Sequence, residues 1–193
     1  MPKIVDVEQY KKELLDKCFD LFTEKGYAAL TTRELAQELG VSTGTLYHYF
    51  ANKADLFEQL VEHICQQDVL MAKAKIEGVD TLPAKLGALG EFLSSHDDKC
   101  IKQLFLWIEY SQQQDAEELK VSRFFEKVDE KYLQALMEIM NIQDRSLAWI
   151  VLNFINGIML EKMWGNDKIS IPEQMRLLGE IINTYIEHQH CRN

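Results

Sequence analysis

Apolar residues recur along this chain at spacings of three and four, with no sustained alternation, a pattern that predicts helices from end to end and no strands. Ile4, Val7, Tyr10, Leu14, Leu15, Cys18, Phe19 and Phe22 share one helical face, and Gly26, suited to the left-handed position after a helix, ends that element. In TTRELAQELG, Thr31 caps a second helix and Glu34 reaches back to complete a capping box, while Leu35, Ala36 and Leu39 face inward and Gly40 stops it. GVS makes a tight turn, Ser42 caps again, and TGTLYHYF carries a third helix of about two turns. Asn52 caps a fourth helix that runs from Lys53 past Met71, Gly78 marks a break, and Pro83 sits in the first turn of a fifth. Toward the end, Ser146 to Trp164 is apolar almost all round, and Pro172 to His188 shows Met175, Leu178, Ile182 and Tyr185 along one side.

The fold class expected from this pattern is all-α, with about nine helices. Two short helices joined by a glycine-containing turn predict a helix-turn-helix within a three-helix head, residues 1–52, followed by a larger helical body, residues 53–193.

Composition changes this picture in three places. The 193 residues carry 31 Asp and Glu against 21 Lys and Arg, a net charge of −10, which by itself argues against a polyanionic partner. The four cysteines, Cys18, Cys65, Cys100 and Cys191, form no C-x-x-C pair and suit free thiols in a reducing, cytoplasmic setting. No apolar signal region follows MPK, and the uncharged run Leu147 to Leu160 is 14 residues, short of the roughly 20 that span a bilayer.

The third helix divides into faces at about 100° per residue. Leu46, Phe50 and Thr43 point to the core, Gly44, Thr45 and His48 cluster opposite, and Tyr47 and Tyr49 lie on the flanks. A face of glycine, threonine and histidine suits close approach to base edges in a major groove, with flanking tyrosine hydroxyls donating to phosphates. Lys53 at the start of a helix is electrostatically misplaced unless an anion docks there, and a phosphate would meet both its ammonium and the free N–H groups.

Leu30 to Val61, LTTRELAQELGVSTGTLYHYFANKADLFEQLV, resembles the DNA-binding region of the TetR family of bacterial transcriptional regulators. The resemblance covers about 55 residues, through TTRELA, LGVSTGTLYHYF and NKADL. It implies a homodimer of helical subunits that binds a palindromic double-stranded DNA operator, represses transcription, and is released by a small effector held in the body. It places Thr32 and Arg33 against backbone and neighbouring groove. It sets Ser42, Thr43, Gly44, Thr45 and His48 toward bases or nearby phosphates, and Tyr47, Tyr49 and Lys53 toward phosphates. Residues 1 to 55 hold seven Lys and Arg against nine acids, so phosphate binding leans on hydroxyls, N–H groups and helix ends, and a shallow salt dependence is expected.

In the body, Phe92, His96, Leu104, Trp107, Ile108, Ser111, Phe125, Tyr132 and Met137 are the candidates to surround an effector among the middle helices, although ordinary core packing explains most such residues. Glu109, beside Trp107 and Tyr110, would favour a lipophilic cation unless it is a solvated carboxylate. Leu152, Ile155, Gly157, Met159, Met175, Leu178, Ile182 and Tyr185 are the candidate dimer interface, two late helices from each subunit meeting across a two-fold axis. HQHC at His188 to Cys191, and His96, Asp97, Asp98 and Cys100, are loose clusters without the paired spacing that fixes a zinc ion. Cys100 with His96 lacks an orienting third group, so no enzyme is expected, and no cofactor or metal is implied. Two alternatives remain: a redox- or metal-sensing regulator of the same fold, and a helical protein-association module without sequence-specific DNA binding.

Overall fold

The computed structural model describes residues 6–115 and 123–190, and Ile4 and Cys191 lie outside them. Among the described residues there are nine helices and no strand: α1 (Val7–Lys25), α2 (Thr32–Glu38), α3 (Thr43–Tyr49), α4 (Lys53–Ile76), α5 (Leu82–Ser95), α6 (Asp97–Gln113), α7 (Phe124–Met140), α8 (Arg145–Met163) and α9 (Ile171–His190). None of them is long and apolar enough to cross a membrane.

Local side-chain chemistry sets the starts of these elements. Asp6 caps α1 by accepting the Glu8 and Gln9 N–H groups, and Thr31 and Glu34 form the expected capping box on α2. Ser42 caps α3, Asn52 takes the Asp55 N–H at 2.8 Å at the start of α4, and Thr81 caps α5 with Pro83 in its first turn. Gly26 departs from the expected left-handed conformation. Its φ of 86° with ψ of 149° is open to glycine alone.

The chain forms two compact units, one of residues up to Gln66 with Phe105–Val128, the other of Gln67–Leu104 with Asp129 onward. The first unit buries Leu14, Leu15, Cys18 and Phe22 of α1, Leu35 and Ala36 of α2, Leu46 of α3, and Leu56, Phe57 and Leu60 of α4. Its aromatic centre joins residues far apart in sequence. Phe57 stacks on Tyr110 of α6 with centroids 4.4 Å apart, and Tyr27 meets both edge-on at 4.9 and 5.1 Å.

The second unit has its own core, drawn from α4, α5 and α7 to α9. Here α5 and α9 run antiparallel with almost no side-chain spacing. A Cβ on Gly90 would lie 2.8 Å from the Pro172 Cα, and one on Gly179 would lie 2.6 Å from the Pro83 Cα. Two glycines therefore let the backbones touch.

This packing turns the expected dimer face inward. Leu152, Met159, Met175, Leu178 and Ile182 are buried in the core of their own unit, and Ile155 packs partly against it. Gly157 and Tyr185 are exposed. The outward stripe on α9 is instead Leu177, Ile181 and Tyr185, one turn apart, and α8 exposes Ile150. The two stripes are offset because α5 presses against α9 from the side that periodicity alone left open.

Candidate nucleic-acid interface

α3 is built to show one face. Leu46 and Phe50 are 1% and 2% exposed and anchor it, while Ser42, Gly44, Tyr47 and His48 are exposed. Thr43, Thr45 and Tyr49 are half-buried. The Ser42 and Thr45 hydroxyls lie 2.8 Å apart and the Thr45 N–H donates to Ser42 Oγ at 2.9 Å, so both hydroxyls expected to face DNA are already engaged in the cap. Tyr49 packs its ring against Tyr10 of α1 at 5.8 Å, with His48 edge-on at 5.0 Å. On α2, Arg33 is exposed and Thr32 half-buried. Of the candidates on α2, α3 and the turn between them, Arg33, Ser42, Gly44, Tyr47 and His48 are exposed.

Lys53 departs from expectation. Its ammonium donates to the Tyr27 and Leu30 carbonyls at 2.7 and 2.6 Å and sits 4.1 Å from the Tyr27 ring centre. Burial holds its pKa below the ordinary lysine value, opposed by the negative charges of Glu109 and Glu34. The lysine expected to meet a phosphate is turned inward because the loop after α1 offers carbonyls that α1 and α2 leave unpaired. Glu109 is also reassigned. Its two carboxylate oxygens accept the Tyr27 and Ala28 N–H groups at 2.9 and 3.0 Å. Sequence reasoning offered it as a solvated carboxylate or the partner of a cationic effector, and no local signal ties a residue on α6 to a loop some eighty positions earlier.

The proposed effector residues fall in both units. Phe92, His96, Leu104, Tyr132 and Met137 belong to the second, and Trp107, Ile108, Ser111 and Phe125 to the first. Phe92 is buried in the core, and His96 ends α5 with Nδ1 2.8 Å from the Phe92 carbonyl and its ring 4.6 Å from that of Phe92. Ser111 donates to the Ile108 carbonyl, and Phe125 lies at the rim of the aromatic centre. Tyr132 donates to Asp68 at 3.1 Å, an acid that Gln103 and Lys99 also hold. In the second unit an open groove of about 490 Å³ is lined by Leu70, Lys73, Ile76, Val79, Lys85 and Ile139 among others, and it includes none of the nine.

Burial pushes the Cys18 and Cys100 thiols up to about 12, and Asp68 adds to the shift of Cys100. Cys65 is buried as well. Among the described residues no three His, Cys, Asp or Glu side chains converge as metal ligands would.

The model of the family of bacterial regulatory proteins called tetR matches residues 14–60, the segment that carries α2, α3 and the Lys53 turn. That segment is tetR-like. The chain's all-α fold resembles that of solved tetR-family proteins. The nucleoid occlusion factor SlmA of Actinobacillus pleuropneumoniae serotype 5b (strain L20) is 28% identical over 177 residues, covering 86% of either chain. The HTH-type transcriptional regulator BetI of Vibrio campbellii is 27% identical over 198 residues, covering 98% of this chain and 96% of its own. The solved structure of FadR from Bacillus subtilis in complex with stearoyl-CoA superposes with a TM-score of 0.62 at 18% identity, covering 89% of this chain and 96% of that one. At that identity the superposition speaks for the tetR-type fold.

Proposed function

We propose that this tetR-family regulator is a cytoplasmic homodimer that reads an inverted-repeat operator, represses transcription there, and is released by a small effector. The observation that carries this reading is α3: a capped two-turn helix anchored by Leu46 and Phe50 that presents Gly44, Tyr47 and His48 outward, with Arg33 exposed on α2. Half-sites about 34 to 36 Å apart would match two such heads. The head is assigned to residues 1–52, and residues 53–193 to effector binding and dimer formation.

The proposed partner surface is the exposed stripe Leu177, Ile181 and Tyr185 with Ile150 and the open backbone at Gly157, where an added Cβ would meet nothing within 4 Å. The nine effector residues remain the candidates for ligand contact. FadR of Bacillus subtilis, solved in complex with stearoyl-CoA, supports a fatty acyl-CoA as a ligand class to try first. A redox-sensing reading is disfavoured by thiols that burial keeps protonated.

Similarity to SlmA along most of the chain supports a second reading, a nucleoid occlusion factor. Selection of duplexes from a random pool by the purified protein tests DNA reading itself, with an inverted repeat expected and no enrichment counting against it. Chromosomal occupancy then separates the readings: a few promoters favour the repressor, and many sites away from promoters favour occlusion.

A further inference from the structure

The loop between α1 and α2 is gripped from both of its polar sides. Glu109 takes the N–H groups of Tyr27 and Ala28, and Lys53 gives its ammonium to the carbonyls of Tyr27 and Leu30. Gly26 makes the room, since a Cβ there would stand 3.0 Å from Glu109 Oε1. Thr31 follows at once, and its capping box with Glu34 sets where α2 begins. Tyr110, next to Glu109, stacks on Phe57 of α4 and donates to Glu58, so α6 is fastened at the same level as the grip.

We propose that Glu109 and Lys53 form a two-ended clamp on this loop and are positioning residues of the DNA interface, with Lys53 serving inward and not as a phosphate ligand. The proposal rests on the DNA-binding reading of the head. All four hydrogen bonds are charge-assisted, the strong class, and together they hold both ends of the four-residue stretch Tyr27 to Leu30 that leads into α2 and hence α3. A clamp that orients without touching DNA has its own signature. Binding weakens for every sequence alike, base ranking persists, and the number of counterions released on binding does not change.

The test uses the full chain and a duplex selected by the parent, with affinity measured across a salt series for Glu109→Ala, Glu109→Gln, Lys53→Met and Lys53→Arg. Glu109→Ala and Lys53→Met are expected to weaken binding by about tenfold or more, with salt plots parallel to the parent's. Lys53→Arg should recover most of the loss because a guanidinium still donates to two carbonyls. Glu109→Gln should recover part, because its amide oxygen still accepts one N–H. Amide exchange at Tyr27 and Ala28 should quicken in both Glu109 variants.

A salt slope flattened by about one in Lys53→Met, with Glu109→Ala binding like the parent, would make Lys53 a phosphate ligand and overturn the clamp. Parental affinity in both variants would do the same. Should Glu109→Ala or Lys53→Met fail to fold, Glu109→Gln decides: parental affinity at parental melting temperature overturns the proposal, and a parallel loss supports it. A parent that selects no duplex sinks the DNA reading and the clamp together, whereas a binding parent with indifferent variants sinks the clamp alone.

Discussion

His48 and Lys53 lie five positions apart, and the structure gives them opposite parts. His48 is exposed on the outward face of α3, so His48→Ala is expected to change which bases are preferred, by about 1 to 3 kcal/mol at the affected position, with total stability little altered. Repeating the duplex selection with the variant checks this, and an unchanged consensus would mean that α3 meets DNA by another face. The cysteines yield a second expectation. The Cys18 and Cys100 thiols are pushed to about 12 from 9.0, so the folded state favours the protonated form. Their share of stability is full below about pH 9 and is lost as pH rises toward 12. In the native protein both should resist iodoacetamide at pH 8 and react once the chain is unfolded, as peptide mass spectrometry would show; fast native labelling would contradict their burial. The caps Thr31, Ser42 and Asn52 were legible in the sequence because their partners lie three residues away. The direction of Lys53 was not, since its carbonyl partners come from residues 27 and 30 and are delivered by tertiary packing.

α5 and α9 show what one missing methyl does for a pair of helices. Gly179→Ala would drive a Cβ to 2.6 Å from the Pro83 backbone, which a ring locked in the first turn of α5 cannot yield. Overpacking of this kind costs about 1 to 3 kcal/mol, and a melting point lower by several degrees is the expected result. Gly157→Ala meets open space and should leave the subunit's melting temperature nearly unchanged or raise it slightly, alanine being the better helix former. Among the shorter elements, Thr31→Ala removes the cap of a seven-residue helix and should cost about 1 kcal/mol in denaturant unfolding. Helix existence and most boundaries followed from periodicity, with α4, α8 and α9 beginning and ending within a residue or two of expectation where a start or stop was named. The inward face of α9 did not follow, because an apolar residue looks the same whether a neighbouring helix of its own chain or of another covers it.

In the whole molecule, net charge of −10 sits beside a head proposed to read DNA with few cations, and with Lys53 turned inward that number falls further. The salt slope of operator binding is therefore expected to be shallow, and a steep one would show that basic side chains elsewhere reach the phosphates. The exposed α9 stripe makes a parallel case for assembly. Leu177→Glu with Ile181→Glu should yield monomers in light scattering and a large loss of affinity for an inverted repeat, while a dimer that persists would place the interface elsewhere. Everything that depends on neighbours within a turn or two was written in the residue order: the helical class, the capped starts, the glycine breaks, the faces of α3 and the tetR resemblance. What depended on which distant surfaces meet was not: Glu109 on the loop after α1, Tyr110 in the aromatic centre of the first unit, and the burial of Met175 and Ile182 in the second. Periodicity specifies which side of a helix is apolar, but a hydrogen bond or a contact needs two partners, and long-range partners are chosen only when all the apolar faces are buried at once.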